Sequence, residues 1–197
     1  FNWRASAAEI AYVLEDAEAQ LVVCEARSEA ALIKALNSFP LAPERVVNLD
    51  SNLLGQNFNN LLGAKPFDGP WPKDSKAICL MLYTSGTTGR PKGVPRSHEV
   101  EIFASVNCIA QLHYKYNDSN LGVMPLFHTM GIRTLLMSAF LDSAFVCLPT
   151  YDTKKLVELV DSEKINNLFL VPTMFHDLVH SNLAEFDLSS VKNIAYA

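Results

Sequence analysis

Two stretches, "AICLML" from Ala77 and "LFLV" from Leu168, are apolar at every position and do not alternate. A strand with one solvated face reads apolar and polar in turn. An uninterrupted apolar strand needs cover on both faces, which a parallel sheet between helix layers supplies. Helical patterns separate such strands along most of the chain. Ser6 and Glu9 fit a capping box, and Ile10, Val13, Leu14 and Ala17 recur at helical spacing, so a helix is predicted over residues 7–18. "QLVVCE" follows as a strand, Ser28 as the cap of a second helix through Leu32 and Leu36, and "RVVNLD" as the next strand. Residues 51–75 carry Asn, Gly and Pro without periodicity and read as a surface loop. After "AICLMLY" and a polar loop, a helix is predicted over 98–114, a short strand at "LGVM", a helix over 129–141 and a strand at "AFVCLP". A helix over 154–163, a strand at "NLFLV", a helix opened by Pro172 and a strand at "NIAYA" complete the series. The expected fold is layered α/β, with mostly parallel sheets flanked by helices and the ligand crevice at the strand carboxyl ends.

With 197 residues, 49% of them hydrophobic, the chain is long enough for one large domain with a core. The net charge of -5, without a basic block, excludes the clustered phosphate neutralisation that a nucleic-acid partner requires. Cys24, Cys79, Cys108 and Cys147 are far apart and each sits among apolar neighbours, so they read as buried thiols in a reducing, cytoplasmic compartment. The longest apolar region, 121–149, is interrupted by His128, Arg133 and Asp142, and no transmembrane segment is expected. The sequence opens on "FNWR" without Met and closes on the apolar "NIAYA", and reads as cut at both ends.

The first apolar run leads into "YTSGTTGRPKGV", Tyr83 to Val94. Gly86, Gly89 and Gly93 permit positive φ, which turns successive N–H groups inward as an anion nest; Thr84, Ser85, Thr87 and Thr88 add hydroxyl donors. Lys92 adds a mobile cation. This composition suits a polyphosphate, with an ordinary Gly-rich turn as the plainer alternative. A Walker A loop needs Lys directly after its second glycine, whereas Gly89 is followed by Arg90 and Pro91; the register argues against a P-loop NTPase or kinase. "HDLVH", His176 to His180, has metal-ligand spacing, but Asp177 stands where a zinc protease carries its glutamate and no third ligand motif follows, so it reads as a surface helix.

"YTSGTTGRPKGV" resembles the phosphate-binding loop of the adenylate-forming superfamily, the AMP-dependent synthetases and ligases that include acyl-CoA synthetases. "FNWR", Ser97 with His98, "PLFHTMG" (Pro125 to Gly131) and "LVPTMF" (Leu170 to Phe175) recur in the family's order, so the resemblance covers essentially the whole chain. It implies a ligase in which a carboxylate attacks the α-phosphate of Mg-ATP, pyrophosphate leaves, and a thiol takes the acyl group from the adenylate. By this resemblance Thr84, Ser85, Gly86, Thr87, Thr88, Gly89 and Lys92 hold the ATP phosphates. Phe127, His128, Thr129, Met130, Val171, Pro172 and Thr173 border the acyl and pantetheine pocket. A structural His at a helix start and Pro at a first helical position are the plainer readings of His128 and Pro172.

The partners so implied are a carboxylic acid, ATP and coenzyme A or a carrier-protein pantetheine, with Mg2+ as cofactor, in cytoplasmic fatty-acid metabolism. Residues 1–197 are expected to form part of the N-terminal AMP-binding domain, truncated at both ends and without the C-terminal domain. The family's Tyr-Gly-x-Thr-Glu motif with the metal carboxylate, its ribose-binding Asp and its catalytic Lys would lie beyond, so the piece alone is expected to be inactive. Ser143 stands where relatives carry a glycine. The alternative is a non-catalytic anion- or nucleotide-binding module of the same fold, against which the intact loop argues.

Overall fold

Helix α1 (Ala7–Asp16) begins where its capping box sets it: the Glu9 N–H donates to Ser6 Oγ at 3.3 Å, and the Ser6 N–H donates to Glu9 Oε2 at 2.7 Å. In the computed structural model, residues 2–70, 73–84 and 90–196 are described. The chain divides into two units, Phe1–Arg96 and Ser97–Ala197.

In the first unit, β1 (Val22–Cys24), α2 (Ala26–Leu36), β2 (Val46–Asn48) and β3 (Gln56–Asn57) follow α1. The strands form a parallel sheet in the order β1-β2-β3, with Val22 opposite Val46 and Val47 opposite Gln56. Ile10 and Leu14 of α1 and Leu32 and Ala35 of α2 close on Val22 and Val46 to make the core. Each large aliphatic side chain so buried contributes about 1.5–3 kcal/mol.

Two expectations change here. Ser28 is not the cap of α2: the helix starts at Ala26, whose N–H donates to Asp50 Oδ1 at 2.7 Å, so a side chain from beyond β2 supplies the cap. The segment 51–75, expected to be loop, contains β3. Gly55, with φ of +68°, leads into it; a Cβ there would lie 2.1 Å from the Val46 carbonyl oxygen, so the approach to β2 requires glycine.

Strands β4 (Ile78–Thr84) and β5 (Lys92–Ser97) form a separate two-stranded sheet. Cys79 Sγ lies 3.5 Å from the Arg96 carbonyl oxygen, while Gly93 lies against Met81 and Tyr83, so the strands run antiparallel as a hairpin. Lys92–Ser97, expected within a polar loop, is drawn into a strand by this pairing. Leu82 is the one buried residue of β4, while Ile78 is 57% exposed. "AICLML" is therefore not a strand covered on both faces. A continuous apolar run reports the surface a strand prefers to bury, and burial also needs a layer laid over it.

The second unit runs α3 (His98–Leu112), β6 (Ser119–Gly122), α4 (Thr129–Phe140), β7 (Ala144–Cys147), α5 (Thr153–Ser162), β8 (Asn167–Leu170), α6 (Pro172–Val179) and β9 (Asn193–Tyr196). Ser97 caps α3 through the Val100 N–H, and Asp152 caps α5 through the Lys155 N–H. The sheet is parallel throughout in the order β7-β6-β8-β9. Leu121, Leu156, Val160, Ile165, Leu168 and Leu170 lie in its core, so "LFLV" fulfils the expectation of a covered strand.

Among the cysteines Cys24 is buried, but Cys79 and Cys147 are exposed and Cys108 is intermediate. Apolar neighbours in sequence do not bury a strand residue, because successive side chains face opposite sides. The turn before β7 is made by Asp142, at φ of 48°, while the Ser143 N–H donates to the Ser138 carbonyl at 2.9 Å; Ser143 therefore needs no glycine-like backbone. Among the described residues no helix is long and apolar enough to cross a membrane.

Candidate functional site

The strand order of the second unit fixes where a ligand is most readily held. From β6 the chain crosses to β7 on one side and then to β8 and β9 on the other, so the topology reverses between β6 and β8. Loops leaving the carboxyl ends of two such strands diverge and open a crevice. The loop after β6 carries Pro125 to His128, and the segment after β8 begins with Val171 and Pro172. The two motifs read as one pocket in sequence thus leave adjacent, paired strands of one sheet.

His128 is the N-cap residue of α4 and makes no side-chain bond to the first turn; its N–H donates to the Pro125 carbonyl at 3.0 Å. The Phe127 ring is half-buried and packs at 49° against the exposed His128 ring, with centroids 4.7 Å apart. Thr129 is exposed and Met130 half-buried.

The glycine ending "PLFHTMG" has a steric role that the sequence alone did not disclose. A Cβ on Gly131 would lie 2.2 Å from the Pro125 carbonyl oxygen and 2.5 Å from that of Met124. Gly131 therefore lets the loop carrying Phe127 and His128 fold back on the first turn of α4.

On the neighbouring loop, Val171 is the N-cap of α6 and Pro172 its first residue, where the missing N–H costs nothing. Val171 is half-buried, whereas Pro172 and Thr173 are exposed.

Two further residues, absent from the sequence prediction, hold these elements. Tyr151 Oη lies 3.2 Å from the Met174 carbonyl and 3.3 Å from Asp177 Oδ2, and accepts from Thr153 Oγ1 at 3.1 Å, tying the start of α5 to α6. Burial raises its pKa, and the Asp177 carboxylate adds to this. Arg133 of α4 is buried and reaches α3: Nη1 donates to Ser105 Oγ at 2.6 Å and to the Glu101 carbonyl at 2.9 Å, and Nη2 pairs with Glu101 Oε2 at 3.1 Å. A buried Arg in an apolar helix was the available signal, since such a group requires a partner.

In the first unit, the predicted phosphate loop lies between β4 and β5. Thr84 ends β4, and Lys92 opens β5 with its side chain exposed. Ser85, Gly86, Thr87, Thr88 and Gly89 lie outside the described residues. Gly93 does not adopt positive φ as expected. It sits within β5, where a Cβ would meet Met81 Sδ at 2.8 Å and the Tyr83 ring at 3.1 Å, so close packing is its role.

Both flanks of the loop reach α1. Tyr83 Oη donates to Asp16 Oδ2 at 2.7 Å, and the Arg90 guanidinium lies 5.7 Å from the Tyr12 ring centroid. Burial, and then the hydrogen bond to Asp16, raise the Tyr83 pKa.

The His176 and His180 rings stack at 4.2 Å, and His180 Nδ1 lies 2.8 Å from the His176 carbonyl oxygen. Among the described residues no three His, Cys, Asp or Glu side chains come together as ligands for a metal ion.

The second unit, a parallel sheet with motif-bearing loops at its switch point, is a layered α/β unit, and the first carries the predicted phosphate loop between β4 and β5. The chain belongs to the AMP-binding enzyme family, whose model matches residues 1–197. It is 28% identical over 165 residues to the long-chain-fatty-acid–CoA ligase FadD13 of Mycobacterium tuberculosis, a match covering 83% of this chain and 32% of that protein. It is 31% identical over 191 residues to the mitochondrial malonate–CoA ligase ACSF3 of Xenopus laevis, covering 90% of this chain and 32% of that protein. The crystal structure of ATP-bound MatB from Rhodopseudomonas palustris shares the fold, with a TM-score of 0.82 at 24% identity, covering 100% of this chain and 38% of that one. The chain thus spans about a third of the length of these curated relatives.

Proposed function

We propose that residues 1–197 are part of the N-terminal AMP-binding domain of an ATP-dependent acid–thiol ligase, which forms an acyl-adenylate and then an acyl thioester, with coenzyme A as the acceptor. The observation that carries this reading is the reversal between β6 and β8, with "PLFHTMG" and "VPTMF" leaving the two strands that flank it. The relatives' names, CoA ligases acting on a long-chain fatty acid and on malonate, agree with it.

In this reading Thr84, Lys92 and the five residues from Ser85 to Gly89 meet the phosphates of ATP. N–H groups, hydroxyls and one ammonium lower the cost of charge developing on departing pyrophosphate. The half-buried Phe127, Met130 and Val171 supply apolar lining, while His128, at the uncapped start of α4, orients the substrate carboxylate beside the positive end of that helix. Met174 and Phe175, partly buried on α6, extend the apolar side, which favours an apolar acyl or aryl acid.

The test is a pyrophosphate-release screen of carboxylic acids on the full-length protein and its Lys92→Ala variant. The expected result is AMP and pyrophosphate as products, with adenylate formation lowered about 10- to 1,000-fold by the substitution, as for loss of one charge-stabilising donor. Undiminished activity, or release of ADP instead, overturns the reading. The 197-residue chain alone is expected to show no pyrophosphate exchange, and robust exchange would refute the assignment of essential groups outside it.

A further inference from the structure

Helix α6 is held at two points of different character. Its 8 residues make about two turns, too few to be stable alone, so its place depends on what it packs against. Among the described residues of α6 only Leu178, near its end, is buried, at 8% exposure in the core of the second unit. The other hold is polar. Met174 and Asp177 are three residues apart on one helical face, and a single hydroxyl, Tyr151 Oη, lies 3.2 Å from the Met174 carbonyl oxygen and 3.3 Å from Asp177 Oδ2. Thr153 Oγ1 donates to the same hydroxyl at 3.1 Å, and the half-buried Tyr151 ring packs on the core that takes Leu178.

Tyr151 reaches α6 from the loop after β7, whereas α6 itself follows β8, and β7 and β8 are the two neighbours of β6. The hydroxyl therefore joins the segments on either side of the carboxyl end of β6, from which the loop with Phe127 and His128 leaves. We propose that Tyr151 is a positioning residue whose hydroxyl fixes α6 and thereby sets which apolar carboxylic acids are accepted, favouring one size over longer or wider ones. The proposal rests on the acyl-pocket reading of "VPTMF". The Met174 N–H donates to the Val171 carbonyl at 3.0 Å, so a turn of α6 about its axis carries Val171 with Met174 and Phe175. Without the hydroxyl the helix keeps its apolar anchor at Leu178, which is non-directional and permits such a turn. A wall fixed by a directional bond is pre-organised for one shape, while a wall free to turn fits more shapes and each of them less well.

The test is steady-state kinetics of the full-length protein on a series of straight-chain carboxylic acids of increasing length. In Tyr151→Phe the KM for the best acid is expected to rise about fivefold with kcat and the KM for ATP unchanged, as for loss of one hydrogen bond that touches no reacting atom. Longer acids are expected to change less, so that the preference between them and the best acid narrows by about the same factor. Asp177→Asn, whose amide oxygen accepts the same hydrogen bond, is expected to keep the wild-type KM values. Amide hydrogen exchange reads the hold without any substrate: the Phe175, His176 and Asp177 amides are expected to exchange about fivefold faster in Tyr151→Phe, and the Thr134 to Ser138 amides of α4 at the wild-type rate.

Tyr151→Phe removes an oxygen and keeps the ring on the core, so the variant retains the packing that folding needs. An unchanged spread of KM values in it overturns the proposal. So does an equal fall in kcat for every acid, or faster exchange in α4 together with α6, since either would make the hydroxyl a matter of general stability. Should α6 exchange faster as expected while the wild-type protein releases pyrophosphate with no acid, the hold on α6 stands and the acyl-pocket reading, with the selectivity built on it, fails.

Discussion

Asn167 Nδ2 donates to Asn120 Oδ1 at 2.6 Å, at the point where β8 and β6 pair these two residues in register. The contact is the centre of a relay. Asn193 Nδ2 donates to Asn167 Oδ1 at 2.7 Å, and Asn120 Nδ2 donates to Ser138 Oγ of α4 at 2.9 Å. The Ser138 hydroxyl in turn donates a hydrogen bond to the Thr134 carbonyl at 2.9 Å. Asn120 and Asn167 are almost wholly buried, and each spends both ends of its amide. Asn167→Ala is expected to destabilise the second unit by about 2–3 kcal/mol, because it strands buried partners on both sides. Urea unfolding checks this, and a loss below about 0.5 kcal/mol would show that the relay contributes little.

The same residues explain what was legible and what was not. The apolar stretches, the capping box at Ser6 and Pro172 at a first helical position report local chemistry, so α1, α6, β8 and the alternation of elements could be read directly. Strand β6 was expected at "LGVM" but runs Ser119–Gly122, because Asp118, Ser119 and Asn120 look like a turn on propensity alone. Buried side-chain pairing overrides that propensity. Its trace in the sequence is the repeated "NLG", "NLF" and "NIA" within three strands. The motifs at the candidate site could likewise be found, whereas Arg133, Tyr151 and the steric role of Gly131 depend on contacts with distant elements.

Arg133 and Glu101 hold α4 against α3 through an ion pair whose side chains are 4% and 6% exposed. Removing one member leaves a buried charge without its main counter-ion. Arg133→Met is expected to cost about 3–5 kcal/mol, and the double variant Arg133→Met/Glu101→Met to recover most of it. Denaturant unfolding of the four proteins gives the coupling directly. Strict additivity would exclude the pair as a coupled unit.

Gly131→Ala brings a Cβ against two backbone carbonyls that cannot rotate away. An overpacking cost of about 1–3 kcal/mol is expected, with displacement of the Phe127 and His128 loop. Gly63→Ala is the matched control, since a Cβ there meets nothing within 4 Å. The imidazole resonances of His128, followed by NMR, should move in the first variant and not in the second. An unperturbed His128 in a stable Gly131→Ala protein would separate the glycine from the site.

Asp118 couples the foot of this sheet to pH. Burial alone would raise its pKa, but the Lys115 N–H, the Lys192 ammonium at 3.0 Å and the Asn167 amide outweigh burial and leave it below the ordinary carboxylate value. A carboxyl with a lowered folded pKa contributes stability that is complete above its unfolded value, about 3.9, and is lost as pH falls toward the folded value. Wild-type stability is therefore expected to hold down to about pH 5 on this account and to fall below about pH 4. Lys192→Met removes the counter-charge and lets burial dominate. Because Lys192 is 54% exposed, solvent screening limits the loss at neutral pH to about 1 kcal/mol. Without the ammonium the Asp118 pKa rises toward or above its unfolded value, so its contribution to the acid loss shrinks or reverses, and the variant is expected to lose less stability than wild type between about pH 5 and pH 3. Urea unfolding from about pH 3 to pH 7 measures both curves. Superimposable pH profiles, differing by a constant offset alone, would show that Lys192 does not set the protonation of Asp118.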